Sequence, residues 1–325
     1  PLEPSVGSAK SWEGEMSEFI MLVGLPASGK STYAEKLRKD GYHIHSSDAI
    51  REELTGDVNS QDKNMNVFQE LHKRVKTDLQ NGISCVYDAT NMSMERRKAF
   101  LDEIKKFNCR KTCILFVVPV EVCKERNQNR TRKVPAGVFD KMLKQFQCPY
   151  YYEGWDDIKI EWYGGEVNPI DFDWNMNQEN SHHTLSLGEH MAESLRYVCE
   201  KNPKNYLLAI AAGAHDLGKY YTKTFVDSKG NLSKEAHYYG HENYGAYMFL
   251  VGQNHAVSTG DYEYAKTNKS EQKNNLYIAS LINWHMRPHT AWKQSDKARE
   301  RDRKLIGEAM YQDIMLLHEA DLSAH

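Results

Sequence analysis

Residues 19–31 constrain the fold more than any other part of the chain. Phe19-Ile-Met-Leu-Val23 is a short apolar run, and Gly24-Leu-Pro-Ala-Ser-Gly29-Lys30-Ser31 follows it directly. A helical pattern opens at Ser31. Strand, glycine-rich turn and helix in that order make a cradle for phosphate. The glycines let backbone N–H groups wrap the anion, and the helix N-terminus turns its positive dipole end toward it. In such a cradle Lys30 bridges the β and γ phosphates and the Ser31 hydroxyl ligates Mg²⁺, with Gly24, Ser28, Gly29 and Thr32 beside them. ATP is the expected nucleotide, GTP the alternative.

Further apolar runs at Tyr42–His45, Ile83–Tyr87, Thr112–Val118 and Ile158–Tyr163 alternate with charged helical segments near 66–80 and 93–107 and with the helix of Phe139, Met142, Leu143 and Phe146. That alternation predicts an α/β domain, a parallel sheet covered by helices on both faces, over residues 16–165. Residues 1–15 read as a leader or remnant. Residues 166–180 are acidic and irregular, as expected of a linker. Beyond them strand signals nearly vanish and helical periodicity takes over at 187–199, 206–219, 241–252, 274–286 and 303–322, so residues 181–325 are expected to be all-α. A chain of 325 residues suits two domains.

With 40% hydrophobic and 27% charged residues and a net charge of −3, the chain is globular and its total charge advertises neither nucleic acid nor membrane. The distribution says more. Residues 71–150 carry a net +9 and residues 151–180 a net −7, which fits a local anionic ligand or a set of solvated basic helix faces. Six cysteines without a C-x-x-C pair suit reduced thiols in the cytoplasm. No run approaches the about 18 apolar residues of a membrane span.

Where could an acceptor be activated beside the phosphate cradle? Asp48 follows the second strand and precedes Arg51 by three residues, so a carboxylate could take a hydroxyl proton while the guanidinium holds an acceptor phosphate. A helix cap would use Ser46-Ser47-Asp48 equally well. Asp88-Ala-Thr90-Asn91 follows a strand, where α/β sheets place ligands, and suits acceptor or Mg²⁺-water contacts or a plain turn. Arg126-Asn-Gln-Asn-Arg130-Thr-Arg132 sets two arginines, Arg126 and Arg130, at i, i+4 on one helix face, where they could meet charge developing on a transferring phosphoryl group or form a plain solvated basic helix. Together with Asp88-Ala-Thr-Asn-Met-Ser-Met-Glu-Arg-Arg97 and Val134-Pro135, these residues resemble the P-loop kinase domain of bacteriophage-type polynucleotide kinases over about residues 17–163. The resemblance implies that Asp48 is the general base for a 5′-hydroxyl, that Arg51 holds the acceptor, and that Arg126 and Arg130 are lid arginines.

Eleven of the fourteen histidines lie after residue 181. His190, His215, His285 and Asp321 each extend an i, i+3, i+4 apolar stripe, so each should point inward. His241 opens a helix and Asp216 adjoins His215. A buried carboxylate without a partner costs several kcal/mol, so Asp321 and Asp216 each need a cation or hydrogen-bond partners, and four inward histidines beside them point to metal. Mixed nitrogen and oxygen donors suit Mn, Fe, Co, Ni or Zn, and six are enough for two divalent ions. The small residues Ala211, Ala212, Gly213 and Ala214 would let the helices converge. His190, His215-Asp216-Leu-Gly-Lys219, Gly240-His241-Glu, Trp284-His285 and Ala320-Asp321 resemble the HD phosphohydrolase superfamily in its two-metal variants. By that resemblance all six are metal ligands, Lys219 contacts substrate phosphate, and His237 and Arg287 are second-rank contacts, with His183 an alternative to His190.

Joined on one chain, the two resemblances imply a bifunctional enzyme that heals RNA ends. One half would phosphorylate 5′-hydroxyls and the other remove 2′, 3′ or 2′,3′-cyclic phosphate. RNA or DNA ends would be the substrate and a separate RNA ligase the partner, with no membrane. The alternatives are a small-molecule or nucleoside kinase fused to an HD nucleotidase, and an HD nucleotide hydrolase regulated by ATP.

Overall fold

The apolar run at residues 19–23 becomes the centre of a five-stranded parallel sheet. Its strands are β1 (Ser17–Val23), β2 (His43–Ser46), β3 (Cys85–Asp88), β4 (Cys109–Val117) and β5 (Asp157–Trp162), in the order β2-β3-β1-β4-β5. The computed structural model describes residues 16–57, 64–130, 132–165, 172–180, 184–259 and 268–324. Residues 1–15, His183 and the first part of the expected linker lie outside the described residues. Strand period sorts side chains onto two faces. Ile20, Leu22, Val86, Ile114 and Phe116 pack with Ala34 of α1 (Lys30–Lys39), while Phe19, Met21, Cys85, Tyr87, Cys113 and Leu115 enter a larger core. That core takes Val67, Leu71, Val75 and Leu79, the buried stripe of α3 (Asn64–Gln80). α2 (Ser47–Thr55) follows β2 at once, α4 (Met94–Ile104) links β3 to β4, and α5 (Val120–Gln128) and α6 (Ala136–Leu143) precede β5.

The second half is helical, as its periodicity predicts, with three departures. α7 (Leu187–Lys201) opens on a capping box in which Ser186 and Glu189 satisfy each other's backbone N–H groups. α8 (Tyr206–Ala212) stops well before residue 219; turns carry the chain to α9 (Lys219–Thr222). Next comes an antiparallel hairpin, β6 (Thr224–Val226) and β7 (Leu232–His237), in a region expected to be all-α. Only Ala236 of β7 is buried, so the strand lacks the alternating apolar pattern that would have announced it. The Asp227 carboxylate instead fixes the turn by accepting from the N–H groups of Lys229 and Asn231.

α10 (His241–Thr259) and α11 (Lys269–Trp284) follow, and then α12 (Ala291–Gln294). The expected helix at 303–322 is divided at Gly307 into α13 (Asp296–Ile306) and α14 (Glu308–Ser323), because the backbone there turns to φ +85°.

The hydrophobic core does not stop between the halves. Phe146 and Cys148 lie in one cluster with Tyr247, Leu276 and Trp284. Tyr247 donates its hydroxyl hydrogen to the Val118 carbonyl at 2.8 Å and accepts from the Val118 N–H at 3.3 Å, at the end of β4. All six cysteines are free thiols, and no described helix is long and apolar enough to cross a membrane.

Candidate active sites

Two sites form, and the first lies at the carboxyl ends of the strands where β1 separates the two directions of chain progression. A cleft of about 1290 Å³ opens there, lined by Ser28, Gly29, Lys30, Ser31 and Thr32 and by Asp48, Arg51, Asp88, Thr90, Arg126 and Arg130. Gly24 holds φ +155°, and a side chain there would press within 3.0 Å of Phe116 Cβ. Gly29 sits in the left-handed region at φ +101° and starts α1. Lys30 is buried with its ammonium on the carbonyls of Gly24, 3.0 Å away, and Leu25, 2.6 Å away. Burial pushes Lys30 down to about 8, with Asp88 opposing. Ser31 donates to Asp88 Oδ2 at 3.0 Å. Hydroxyl and carboxylate thus stand side by side at the head of the cradle, a donor set that fits Mg²⁺.

Asp48 lies in the first turn of α2; Ser46 occupies the cap position. Its carboxylate is ringed by cations. Arg51 reaches it at 3.2 Å and Arg130 at 4.0 Å, and Arg132 is bonded to it as well. α5 ends at Gln128, so Arg130 does not share a helix face with Arg126 as expected, and Arg132, in the same arginine run, had no helical spacing to place it. Arg126 takes another place, over the Tyr163 ring at 5.2 Å. The basic stretch also sends Arg96 and Lys133 to the cleft wall. Asn91 departs from the expected substrate contact. At φ +50° it turns its amide back to the Leu22 carbonyl, 2.8 Å away, and serves the loop instead.

In the second site four imidazoles and two carboxylates from four helices and the turn after α8 converge. His190, His215, Asp216 and Asp321 offer ligand atoms all within 4.8 Å of one another, and so do Asp216, His241 and His285. Asp216 joins the sets: Oδ2 lies 3.2 Å from His190 and 3.5 Å from His215, Oδ1 3.2 Å from His241 and 3.6 Å from His285. Each ring has a fixed tautomer. Nδ1 of His190, His215, His241 and His285 faces the carbonyl of Ala324, Ala212, Tyr238 and Ile282 at 2.7–2.8 Å. Nδ1–H therefore donates outward, and in the neutral ring Nε2 keeps a lone pair toward the centre.

Those lone pairs face each other at 3.2 Å, His190 on His215 and His241 on His285. Two acceptors at that distance repel unless a cation lies between them. The donor chemistry therefore fits two metal ions. Against burial, which lowers it, Asp216 and Asp321 raise His190 to about 10, so a proton is the cation taken when no metal is bound.

Lys219 is buried against this cluster, 2.7 Å from Asp216 Oδ2, and donates to Gln178 Oε1 at 2.9 Å. Despite burial, Lys219 and His215 hold Asp216 well below the usual carboxylate range. The close helix approach expected at Ala211–Ala214 is present, with Ala211 and Ala212 fully buried where α8 packs against α7 and α11, and a tighter one lies at Gly218. A Cβ on Gly213 would meet only ordinary contacts at 3.6–3.7 Å, whereas one on Gly218 would meet the His241 carbonyl at 1.9 Å and the Gly245 nitrogen at 2.6 Å. Arg287 turns away to Asp302, and His237 stacks on Tyr239 at 5.5 Å.

The sites share a foundation in residues 144–148. Asn283, two residues before His285, accepts from Cys148 N–H at 2.7 Å and donates to the Phe146 carbonyl at 3.0 Å. Asn243, two residues after His241, donates to the Lys144 carbonyl at 2.9 Å. On the other side Gln147 bonds Met92 and Met94 at 3.0 Å, and Arg97, paired with Glu153 in a fully buried bridge, donates to its carbonyl.

Residues 19–149 match a family model described as an AAA domain. The bifunctional polynucleotide phosphatase/kinase of Schizosaccharomyces pombe is 27% identical over 153 residues, 45% of this chain and 34% of the relative. The L-seryl-tRNA(Sec) kinase of Methanococcus maripaludis is 26% identical over 195 residues, 58% of this chain and 71% of the relative. The chain thus spans about a third of the first curated relative's length. A chain of the Pnkp1/Rnl/Hen1 RNA repair complex superposes with a TM-score of 0.35 at 24% identity, covering 42% of this chain and 46% of that one. The domain match, the relatives and the cradle mark residues 19–149 as a P-loop domain similar in sequence to the kinases named above.

Proposed function

We propose that the chain is a bifunctional end-healing enzyme, a 5′-hydroxyl kinase joined to a two-metal phosphohydrolase. The observation that carries this reading is Asp216, whose two oxygens serve two separate sets of imidazoles behind a kinase cleft that has its own carboxylate, Asp48. A phosphoryl-transfer domain needs no second metal centre, so the pair implies two reactions. Both curated relatives carry a nucleic acid in their names, which favours an RNA acceptor over a sugar.

In the kinase cleft Lys30 and the backbone of residues 24–31 would hold the ATP phosphates. Ser31 and Asp88 would hold Mg²⁺, which supplies charge neutralisation at the β and γ phosphates. Asp48 would accept the proton of the attacking 5′-hydroxyl as its oxygen bonds to the γ phosphorus and ADP leaves. Arg51 would orient the acceptor, and Arg130 and Arg132 would move from Asp48 to phosphate oxygens as the cleft fills. In the second half His190, His215, Asp216 and Asp321 would hold one divalent ion, and Asp216, His241 and His285 the other. Such a pair, drawn from Mn, Fe, Co, Ni or Zn, supplies a water of lowered pKa and charge stabilisation at phosphorus. Lys219 would keep Asp216 ionised between them.

The test uses oligonucleotides bearing 5′-hydroxyl and 2′,3′-cyclic phosphate ends with labelled ATP and added Mn²⁺. Asp48→Ala should abolish labelling of the 5′ end and leave phosphate removal intact, and Asp216→Ala should do the reverse. Labelled free phosphate without labelled oligonucleotide would support an ATP-regulated hydrolase instead.

A further inference from the structure

Asp321 turns only one oxygen toward the metal centre. Its Oδ1 lies 3.1 Å from His190 Nε2 and 3.7 Å from His215 Nε2. Oδ2 faces away and lies 2.7 Å from Nε2 of His289. That same nitrogen lies 3.0 Å from Nδ1 of His318, and the two rings meet edge to face with centroids 4.3 Å apart. A carboxylate oxygen can only accept, so His289 bonds it only by carrying its proton on Nε2. Nδ1 of His318 then presents a lone pair to the same N–H. If the proton sat on His318 instead, His289 would turn a bare lone pair on a carboxylate at 2.7 Å. The tautomer of His289 is thereby fixed by two acceptors.

A third metal ion does not explain these residues. The two ligand sets each close with every atom within 4.8 Å of the others, and His289, His318 and Asp321 form no such group. A hydrogen-bonded chain leading away from the centre does. It parallels the other carboxylate, where Lys219 takes Asp216 Oδ2.

We propose that His289, backed by His318, is a positioning residue for one ion only: by fixing Asp321 Oδ2 it aims Oδ1 at the His190–His215–Asp216 position. This rests on the two-ion reading above. Groups that orient a ligand typically account for about 10–100-fold in metal affinity. The Asp216–His241–His285 position shares no atom with this chain and should not respond.

The test is a Co²⁺ titration of metal-stripped full-length protein, followed by visible absorption and by calorimetry, with thermal unfolding of each stripped variant. Wild-type protein should bind two ions. His289→Ala should weaken one of them by about 10–100-fold and leave the other unchanged. His289→Gln, whose amide N–H can still donate to Asp321, should recover most of the loss, and His318→Ala should weaken the same ion less. Wild-type affinity for both ions in His289→Ala would overturn the inference alone. Equal weakening of both ions, with His289→Gln no better, would reduce His289 to a packing role. Failure of wild-type protein to take up Co²⁺ would remove the two-ion reading and this inference with it.

Discussion

Replacing Gly218 by alanine adds one methyl group at the point where the second site is closed. The backbone at Gly218 is ordinary, with φ −66° and ψ −19°, so the substitution introduces no torsional strain. The conflict is purely one of space. The new carbon would stand 1.9 Å from the His241 carbonyl oxygen, where ordinary contact begins at 3.4 Å. The start of α10 and the turn carrying Asp216 must therefore separate by roughly 1.5 Å, several times the about 0.2 Å tolerance of metal–ligand distances. Overpacking of this kind costs about 1–3 kcal/mol, occasionally more. The expected outcome for Gly218→Ala is a folded protein that melts several degrees lower, retains one divalent ion of two by elemental analysis, and still transfers phosphate from ATP. Gly213→Ala, three residues before Asp216, where the new carbon would meet its neighbours only at ordinary contact distances of 3.6–3.7 Å, should change none of these. Two ions at wild-type affinity in Gly218→Ala would refute the argument that the His241 position depends on this contact.

Loading the second site should release protons. Asp216 and Asp321 hold His190 protonated up to about pH 10 in metal-free protein. A metal ion needs the neutral ring, so near pH 7.5 binding should expel roughly one proton per cluster and affinity should rise with pH; calorimetry in buffers of different ionisation enthalpy measures this. The kinase cleft should behave oppositely. Burial lowers Lys30 to about 8, so above that pH the free enzyme loses the proton and ATP phosphates restore it. ATP binding should take up a proton between pH 8 and the ordinary lysine value of 10.5, and affinity should fall as pH rises through that window, which the same method follows. Asn283→Ala leaves the Cys148 N–H and the Phe146 carbonyl without their half-buried side-chain partner. A loss of about 2–4 kcal/mol by urea unfolding is expected, with both activities reduced together.

The cradle could be read from sequence because its chemistry requires consecutive residues, and a strand, a turn and a helix start cannot be rearranged around a phosphate. The inward histidines could be read because each lies on a stripe whose period the helix imposes. Asp216 joined them through adjacency to His215, and His241 as the residue that opens a helix. What escaped notice depends on contacts between segments distant in sequence. Gly218 and Gly245 look like two unremarkable glycines until α9 and α10 are set against each other. Arg132 lies beyond the end of α5, where helical spacing gives no direction. His289 and His318 sit on separate elements with nothing periodic between them. The hairpin at 224–237 was invisible because its strands are mostly exposed, so burial never imposed alternation.

Composition divides the chain into two domains, yet the physical boundary is crossed by one core and by two asparagines. Each asparagine lies two residues from a histidine of the buried cluster, His285 or His241, and holds the same strap at residues 144–148. That strap is bonded in turn to residues 92–97, just beyond the Asp88–Thr90 wall of the phosphate cleft. Two kinds of loss must then be kept apart. A change at the proposed reacting groups, Asp48 or Asp216, removes one charge from one cleft and should leave the scaffold of the other untouched. A change in the strap or its amides alters the base on which both clefts are aligned, because a buried amide that loses its partner costs as much on one side as on the other. Separable chemistry and inseparable folding are therefore compatible in this chain: the first follows from the distinct sets of reacting groups, the second from the shared backbone that positions them.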